Sequence, residues 1–330
     1  MNFKLLQRQQ IVPLITIASL VGLTFVINAH IVYLSPLFLS LVLGLILSNF
    51  PSLIASAKGA VDFSAKKLLR IGVALLGMQI TFHKFVEIGV KGFIAIFLIV
   101  LLTFFGMRAA GRMIGLSPEL SLLLAGGFSI CGASAVAAIG ASRKSKTEDI
   151  SYAVGIVTLC GTLSIFIIPP IAIALSLSHR LAGAWIGAAV HDIGQVIATA
   201  TLVGGTTLSY AVISKLSRVV LLAPMLVALN LGKESEGKSS RFSITQWLPP
   251  FIIGFLLITL LNNEIHFPAH VTTSFINISK FLLSMGLFAM GTNVKWAAIR
   301  NIGIKPLAFG IAGWIICGSC SLLIIKAVGV

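Results

Sequence analysis

Three polar side chains interrupt an apolar stretch near the middle of the 330-residue chain. They are His191, Asp192 and Gln195, in the segment GAAVHDIGQV at residues 187–196. Gly183, Gly187, His191 and Gln195 are spaced four residues apart, so a helix would align them on one face. Placing an ionisable group at the centre of a bilayer costs about 2.5–3.5 kcal/mol. A partner, water or a function must offset that cost.

Proton exchange is the chemistry that this segment suggests. His191 could take up a proton near neutral pH, and Asp192 could fix its tautomer or carry the coupling proton itself. The competing interpretation is a glycine stripe for close helix packing, with a mutually satisfied histidine–aspartate pair.

A second unusual segment, GGFSICGASAVAA at residues 126–138, is rich in small residues. Gly126, Gly127 and Gly132 permit a helix to break, and Ser129 and Ser134 supply hydroxyl groups. A helix that restarts after such a break presents free N–H groups and a positive end of about half a charge, which suit an anion. The alternative is close packing of small residues, with hydroxyls bonded to their own helix.

Two cations complete the set of candidate groups. Lys215 and Arg218 lie three residues apart in SKLSRVVLLAPM, on one face of a helix. They could attract an anion into a vestibule, or extend to the lipid headgroups. The four cysteines lie in apolar segments, so we expect buried thiols, no metal site and no cofactor.

The composition indicates whether these groups are surrounded by water or by lipid. Hydrophobic residues make up 57% of the chain and charged residues 10%, whereas soluble domains have about 25% charged residues. A membrane-spanning helix needs about 20 mostly apolar residues. We therefore predict an all-α polytopic membrane protein, with residues 1–330 forming a single integral membrane domain. The eleven apolar segments are 11–28, 33–49, 68–81, 88–108, 118–141, 148–175, 183–205, 207–230, 247–262, 271–292 and 304–329.

Lysine and arginine in the loops predict the orientation of the chain. Basic residues cluster at 4–8, 58–70 and 108–112, on the side that the positive-inside rule assigns to the cytoplasm. The N-terminus is therefore expected in the cytoplasm, and the protein in the inner membrane. The net charge of +15 suits loops and lipid headgroups, and no nucleic-acid partner is expected.

One basic loop, RKSK at residues 143–146, disagrees with eleven simple crossings. It returns to the cytoplasmic side if 118–141 enters the membrane and folds back, and 183–205 must then fold back from the opposite face. Broken helices that cross the membrane would have the same composition, so both arrangements stay open.

An internal repeat joins residues that are 214 positions apart. KKLLRIGVALLGMQI from Lys66 aligns without a gap with KFLLSMGLFAMGTNV from Lys280. The copies cover about 33–108 and 247–322, and the central region 118–205 lies outside them. An odd number of crossings separates the copies, which predicts an inverted repeat of the kind that secondary transporters use.

Three motifs carry a resemblance to a known family. ICGASAVAAIGA, GAWIGAAVHDIGQVIATA and LLRIGVALLG are similar to the YeiH-type bacterial membrane proteins, which are labelled sulfate exporters. The resemblance implies a relation to the cation/proton antiporters and anion transporters, with inverted repeats and two crossed, interrupted segments. It also implies a central site at six positions, namely Ser129, Gly132, Ser134, His191, Asp192 and Gln195.

The leading functional prediction is a secondary transporter that exports a small inorganic or sulfur-containing anion, such as sulfate, with proton coupling. No enzymatic activity is expected, and a second copy of the chain, forming a homodimer, is a candidate partner. One alternative is sodium-coupled symport of an organic anion, with Asp192, Gln195 and Asn293 as ligands. A distant alternative is a membrane enzyme that uses Cys131, His191 and Asp192 as a thiol triad.

Overall fold

A computed structural model describes residues 8–30, 35–80, 82–230, 250–265, 267–293 and 304–329. All regular structure in these ranges is helical, which confirms the predicted all-α class. Six described helices are long and apolar enough to cross a membrane: Gln10–His30, Val86–Met113, Glu148–Ala174, Thr207–Leu229, Ala269–Thr292 and Ile304–Val328. The count of eleven segments stays a prediction.

The described helices follow one another with short connections. They are α1 (Arg8–His30), α2 (Pro36–Leu47), α3 (Pro51–Phe63), α4 (Leu69–Leu75), α5 (Phe82–Met113), α6 (Pro118–Ser129), α7 (Ala133–Arg143), α8 (Thr147–Ala174), α9 (His179–Ala189), α10 (Ile193–Val203), α11 (Thr207–Val220), α12 (Leu222–Asn230), α13 (Pro250–Glu264), α14 (Ala269–Thr292) and α15 (Ile304–Val328). A π-helical turn, Ser64–Leu68, joins α3 to α4, and a 3₁₀ turn, Leu76–Gln79, follows α4.

The chain divides into two compact units, and each contains candidate membrane spans. The first unit is Met1–Phe82 with Phe251–Trp296, and the second is His83–Pro250 with Ala297–Val330. The single membrane domain stays a prediction. The predicted linker Gly232–Arg241, and residues 294–303 of the second repeat copy, lie outside the described residues.

Within the first unit, glycines let α4 and α14 approach closely. A β-carbon at Gly72 would lie 2.9 Å from the Leu283 side chain, and one at Gly286 would lie 2.6 Å from the Leu69 side chain. Leu69 and Leu283 are 214 positions apart, as are Gly72 and Gly286. The same contact is therefore made twice, with the roles of the two segments exchanged.

A second pair of glycines in this unit repeats the relation. A β-carbon at Gly77 would lie 2.7 Å from the Phe255 carbonyl oxygen, and one at Gly291 would overlap the Leu41 carbonyl oxygen. These partners are again 214 positions apart. No side chain fits at either glycine without displacing backbone, which explains why both helices have glycine there.

In the second unit, α6 and α7 fold back on each other as a hairpin, which we call the first hairpin (residues 118–143). The Ser145 hydroxyl donates to the Glu119 carboxylate, which brings the start of α6 to the end of α7. Nearer the turn, a β-carbon at Gly140 would lie 3.7 Å from Leu123 Cδ2. In one continuous helix, Gly140 and Leu123 would be separated along the axis by about 1.5 Å for every residue between them, so they could not be in contact.

Helices α9 and α10 form the second hairpin (residues 179–203). His179 Nδ1 lies 2.9 Å from Thr207 Oγ1, so the start of α9 is next to the residues that follow α10. Helix α8 separates the hairpins and has 28 residues, or about 42 Å of helix. The first hairpin leads into the start of α8 and the second follows its end, so their open ends lie at opposite ends of α8.

The two hairpins repeat each other at a spacing of 60 residues. Helices α7 and α10 span 133–143 and 193–203, and the helices after them begin at 147 and 207. Lys144 and Gly204, which follow α7 and α10, both have a positive φ, of 53° and 83°. Few side chains match at this spacing, so the sequence analysis found only the 214-residue repeat.

Candidate functional site

The turns of the two hairpins meet inside the second unit. We call Ile130–Gly132 the first tip and Val190–Asp192 the second tip. Gly132 has a φ of +66°, a conformation that glycine adopts without strain. A β-carbon at Gly132 would lie 3.5 Å from the Cβ atom of His191, so the tips touch. Of the predicted site residues, Gly132 and His191 are brought into direct contact.

Lys215 lies on α11, is fully buried and joins the two tips. Its Nζ atom donates to the Ile130 carbonyl oxygen at 2.6 Å and to the Val190 carbonyl oxygen at 2.9 Å. These carbonyls end α6 and α9, where the last turns of a helix leave carbonyl groups without an internal partner.

Arg218, one turn further along α11, is also fully buried and donates hydrogen bonds at the same helix ends. Its Nη2 atom donates to Phe128 O at 2.6 Å, its Nε atom to Ser129 O at 3.0 Å, and its Nη1 atom to Ala188 O. The structure thus places both cations on buried carbonyls, and neither reaches a headgroup or an open vestibule. Anion attraction by this pair stays a prediction.

Asp192 caps the start of α10. Its Oδ1 atom accepts from the Gly194 N–H at 2.9 Å, and the Gln195 side chain accepts in return from the Asp192 N–H at 3.2 Å. This reciprocal arrangement is a capping box, which satisfies the first N–H groups of a helix. Asp192 is half-buried, so the carboxylate stabilises the helix end and remains partly accessible.

Gln195 also fixes α10 against α8. Its Nε2 atom donates to the Thr158 carbonyl oxygen at 3.1 Å. A β-carbon at Gly161 would lie 2.7 Å from Nε2, so the glutamine side chain passes directly over this glycine. The sequence analysis missed Thr158 and Gly161, since small residues in an apolar helix carry no signal by themselves.

His191 is fully buried, and neither of its ring nitrogens has a hydrogen-bond partner among the described residues. The ring packs edge-on against Phe128, with 4.5 Å between ring centroids. The Phe128 carbonyl lies near the imidazole but falls short of hydrogen-bond geometry, and it already accepts from Arg218. Unpaired buried nitrogens are costly, so this imidazole is a group with unused binding capacity.

The two serines of the predicted site differ in environment. The Ser129 hydroxyl is buried and donates to the Gly126 carbonyl of its own helix at 3.3 Å, which is the alternative weighed from sequence. Ser134 is exposed in the first turn of α7. Of these two serines, only Ser134 has an exposed side chain next to a helix start.

The alternative functions use Asn293 and Cys131 in addition to the groups of the tips. Asn293 follows α14 in the first unit. Cys131 lies in the first tip, and no hydrogen bond in the described part of the chain joins its thiol to the His191 ring. Sodium coordination and thiol catalysis stay predictions.

Comparison with known proteins identifies the relatives of this arrangement. The model of the family described as conserved hypothetical protein 698 matches residues 11–310. The chain belongs to this family. Its relatives carry the name UPF0324, and the predicted resemblance to YeiH-type proteins is confirmed.

Three UPF0324 relatives show how far the similarity extends. A UPF0324 membrane protein of Corynebacterium glutamicum is 36% identical over 300 residues, covering 90% of this chain and 86% of the relative. The UPF0324 inner membrane protein YeiH of Escherichia coli is 33% identical over 296 residues, covering 86% and 84%. A UPF0324 membrane protein of Pseudomonas aeruginosa is 32% identical over 300 residues, covering 86% and 84%. No solved structure matches the chain.

Proposed function

We propose that this UPF0324 protein is a secondary transporter that binds a small anion, of the size and charge of sulfate, where the two hairpin tips meet. The protein exports this anion, and the export is coupled to the movement of protons. The observation that carries the proposal is the contact of two interrupted helix pairs from opposite ends of α8, with buried cations between them. Interrupted helices that meet inside a membrane protein are the usual setting of a transport site.

The balance of charge at the tips favours an anion. Lys215 and Arg218 contribute two positive charges, and the ends of α6 and α9 that they contact contribute about half a negative charge each. The starts of α7 and α10 contribute about half a positive charge each, and the Asp192 carboxylate offsets these. With His191 neutral, a net charge of about +1 remains for the solute.

The site has distinct candidates for anion binding and for proton exchange. The start of α7 and the exposed Ser134 hydroxyl provide donors, and His191 has two ring nitrogens without a partner among the described residues. His191 or Asp192 takes up the coupling proton when the anion binds, because protonation of either group adds positive charge to the site. Gly132 lets the first tip approach the second.

The paired glycine contacts of the first unit support an inverted repeat. Contacts that recur with exchanged roles are what two copies related by a two-fold axis produce. The 60-residue spacing of the hairpins supports a second duplication in the region that the 214-residue repeat leaves out. Together they favour the alternating-access mechanism that inverted repeats provide. The N-terminus lies on the cytoplasmic side of a bacterial inner membrane in this proposal, because the basic loops follow the positive-inside rule.

Transport by purified protein in liposomes tests the proposal. Labelled sulfate and sulfite are followed with and without a pH gradient, and with chloride and an organic carboxylate for comparison. We expect anion flux that an imposed pH gradient accelerates, and loss of that acceleration in Asp192→Asn. The matched control is Asp62→Asn on α3 of the first unit, which makes the same substitution outside the proposed site and should keep the acceleration. Unchanged, pH-dependent flux in both Asp192→Asn and His191→Ala contradicts the assigned roles.

Replacing sodium by potassium on both sides of the liposome separates proton from sodium coupling. A proton-coupled exporter keeps its flux in potassium. Flux that requires sodium would establish the symport alternative and would shift the role of Asp192 from proton exchange to cation coordination.

A further inference from the structure

We propose that Lys215 and Arg218 are positioning residues that hold the two hairpin tips together as one body. The inference rests on the proposed function, in which both tips bind the same anion. Each tip belongs to a separate hairpin, and the connections to α8 leave from its opposite ends. The backbone connections alone therefore do not hold the two tips in contact.

Each cation bonds equivalent positions of both hairpins. Lys215 donates to the carbonyls of Ile130 and Val190, which are 60 residues apart, the spacing at which the hairpins repeat. Arg218 donates to the carbonyls of Phe128 and Ala188, which are also 60 residues apart. Two side chains of one helix thus join four matched carbonyls.

Electrostatics explains why cations occupy these positions. The ends of α6 and α9 are negative by about half a charge each, so two such ends in contact repel each other. Their unpaired carbonyls also need donors, because the residues that carry them are buried. Buried positive charges between the ends replace repulsion by attraction and supply the donors at the same time.

This role differs from direct anion binding. Both cations are fully buried, and their nitrogens face backbone carbonyls of the tips. A direct ligand acts only when the anion is present. Residues that hold the tips together act in the anion-free protein as well, so the effect of replacing them can be measured without any substrate.

Disulfide formation between the tips measures how firmly they are held. The Gly132 position and the Cβ atom of His191 are 3.5 Å apart, within the Cβ separation of about 3.5–4.5 Å that a disulfide needs. The parent variant carries Gly132→Cys and His191→Cys, with Cys131→Ser to remove the neighbouring thiol. The positive φ at position 132 strains a cysteine there, and this strain is common to the parent and to every variant compared with it. The parent is oxidised in membranes by dissolved oxygen with a copper–phenanthroline catalyst, in buffer without sulfate or sulfite, and mass spectrometry of the joined tip peptides gives the rate.

Neutral replacements should loosen the tips. We expect Lys215→Met or Arg218→Met to slow disulfide formation at least about fivefold, the effect of losing one hydrogen bond. Lys215→Arg keeps a charged donor and should recover most of the rate. The matched control is Ser214→Ala on the same helix, because the Ser214 hydroxyl donates to the Ala184 carbonyl at 3.0 Å, away from the tips. That control should cross-link like the parent.

Folding and transport assays make the outcomes distinct. If Lys215→Met does not accumulate but Lys215→Arg folds and cross-links, the requirement for a buried donor is supported. In a transporting background without added cysteines, Lys215→Met should raise KM for the anion and Lys215→Arg should restore it. Parent-like cross-linking rates in both methionine variants overturn the inference. Because cross-linking needs no substrate, this result is independent of whether the protein transports anions.

Discussion

Gln195 offers a quantitative test of how the second tip is held in place. Its side chain bonds the Asp192 N–H at 3.2 Å and the Thr158 carbonyl at 3.1 Å, and it crosses Gly161 so closely that a β-carbon there would overlap it. The substitution Gly161→Ala must therefore displace the Gln195 side chain. The cap of α10 and the contact with α8 are lost together.

The expected cost follows from the two hydrogen bonds. Each bond contributes about 1 kcal/mol, and the Thr158 carbonyl keeps the Thr162 hydroxyl as a donor, so Gly161→Ala should destabilise by about 2 kcal/mol. Thermal unfolding in detergent is followed by the reaction of a thiol dye with the buried Cys131 and Cys160. The background carries Cys320→Ser, because Cys320 is exposed and the expectation of four buried thiols is wrong at this position. The midpoint should fall by about 3 °C.

A double-mutant cycle isolates the mechanism. Gln195→Ala removes both bonds by itself and leaves space above Gly161, so adding Gly161→Ala to it should cost less than about 0.5 kcal/mol. Additive costs in the double variant would refute the reasoning, because they would mean that the alanine methyl group harms some other contact. Transport should fall in both single variants, since Gln195 positions Asp192.

Further predictions concern the packing of the two units. Gly77→Ala and Gly291→Ala should each destabilise the protein by about 1–3 kcal/mol through overpacking, and by similar amounts. Gly22→Ala, which meets open space, should leave the thermal midpoint unchanged or raise it. Markedly unequal costs at the two glycines would argue against the inverted repeat. Ser145→Ala removes the bond to Glu119 at the base of the first hairpin and should speed limited trypsin cleavage of the basic loop after α7. Cleavage at the parent rate would contradict that assignment.

The membrane class and the groups of the candidate site could be predicted from the sequence. Composition and the length of apolar segments depend only on residue types, so they identify the solvent without any knowledge of the fold. The cost of polar groups in lipid is equally local, and it drew attention to His191, Asp192 and Gln195. The gapless 214-residue repeat was visible because glycines at close contacts tolerate few substitutes.

Only the tertiary structure decided what these groups contact. Lys215 and Arg218 looked like headgroup or vestibule cations, and their carbonyl partners are up to 90 residues away in the chain. The choice between hairpins and broken crossings depended on contacts between segment ends, such as that between Ser145 and Glu119. The type of a residue does not reveal whether its backbone carbonyl accepts a hydrogen bond, because every residue has a carbonyl group. Apolar composition therefore determines that a segment enters the membrane, whereas only packing determines where it turns and which helix end receives a buried charge.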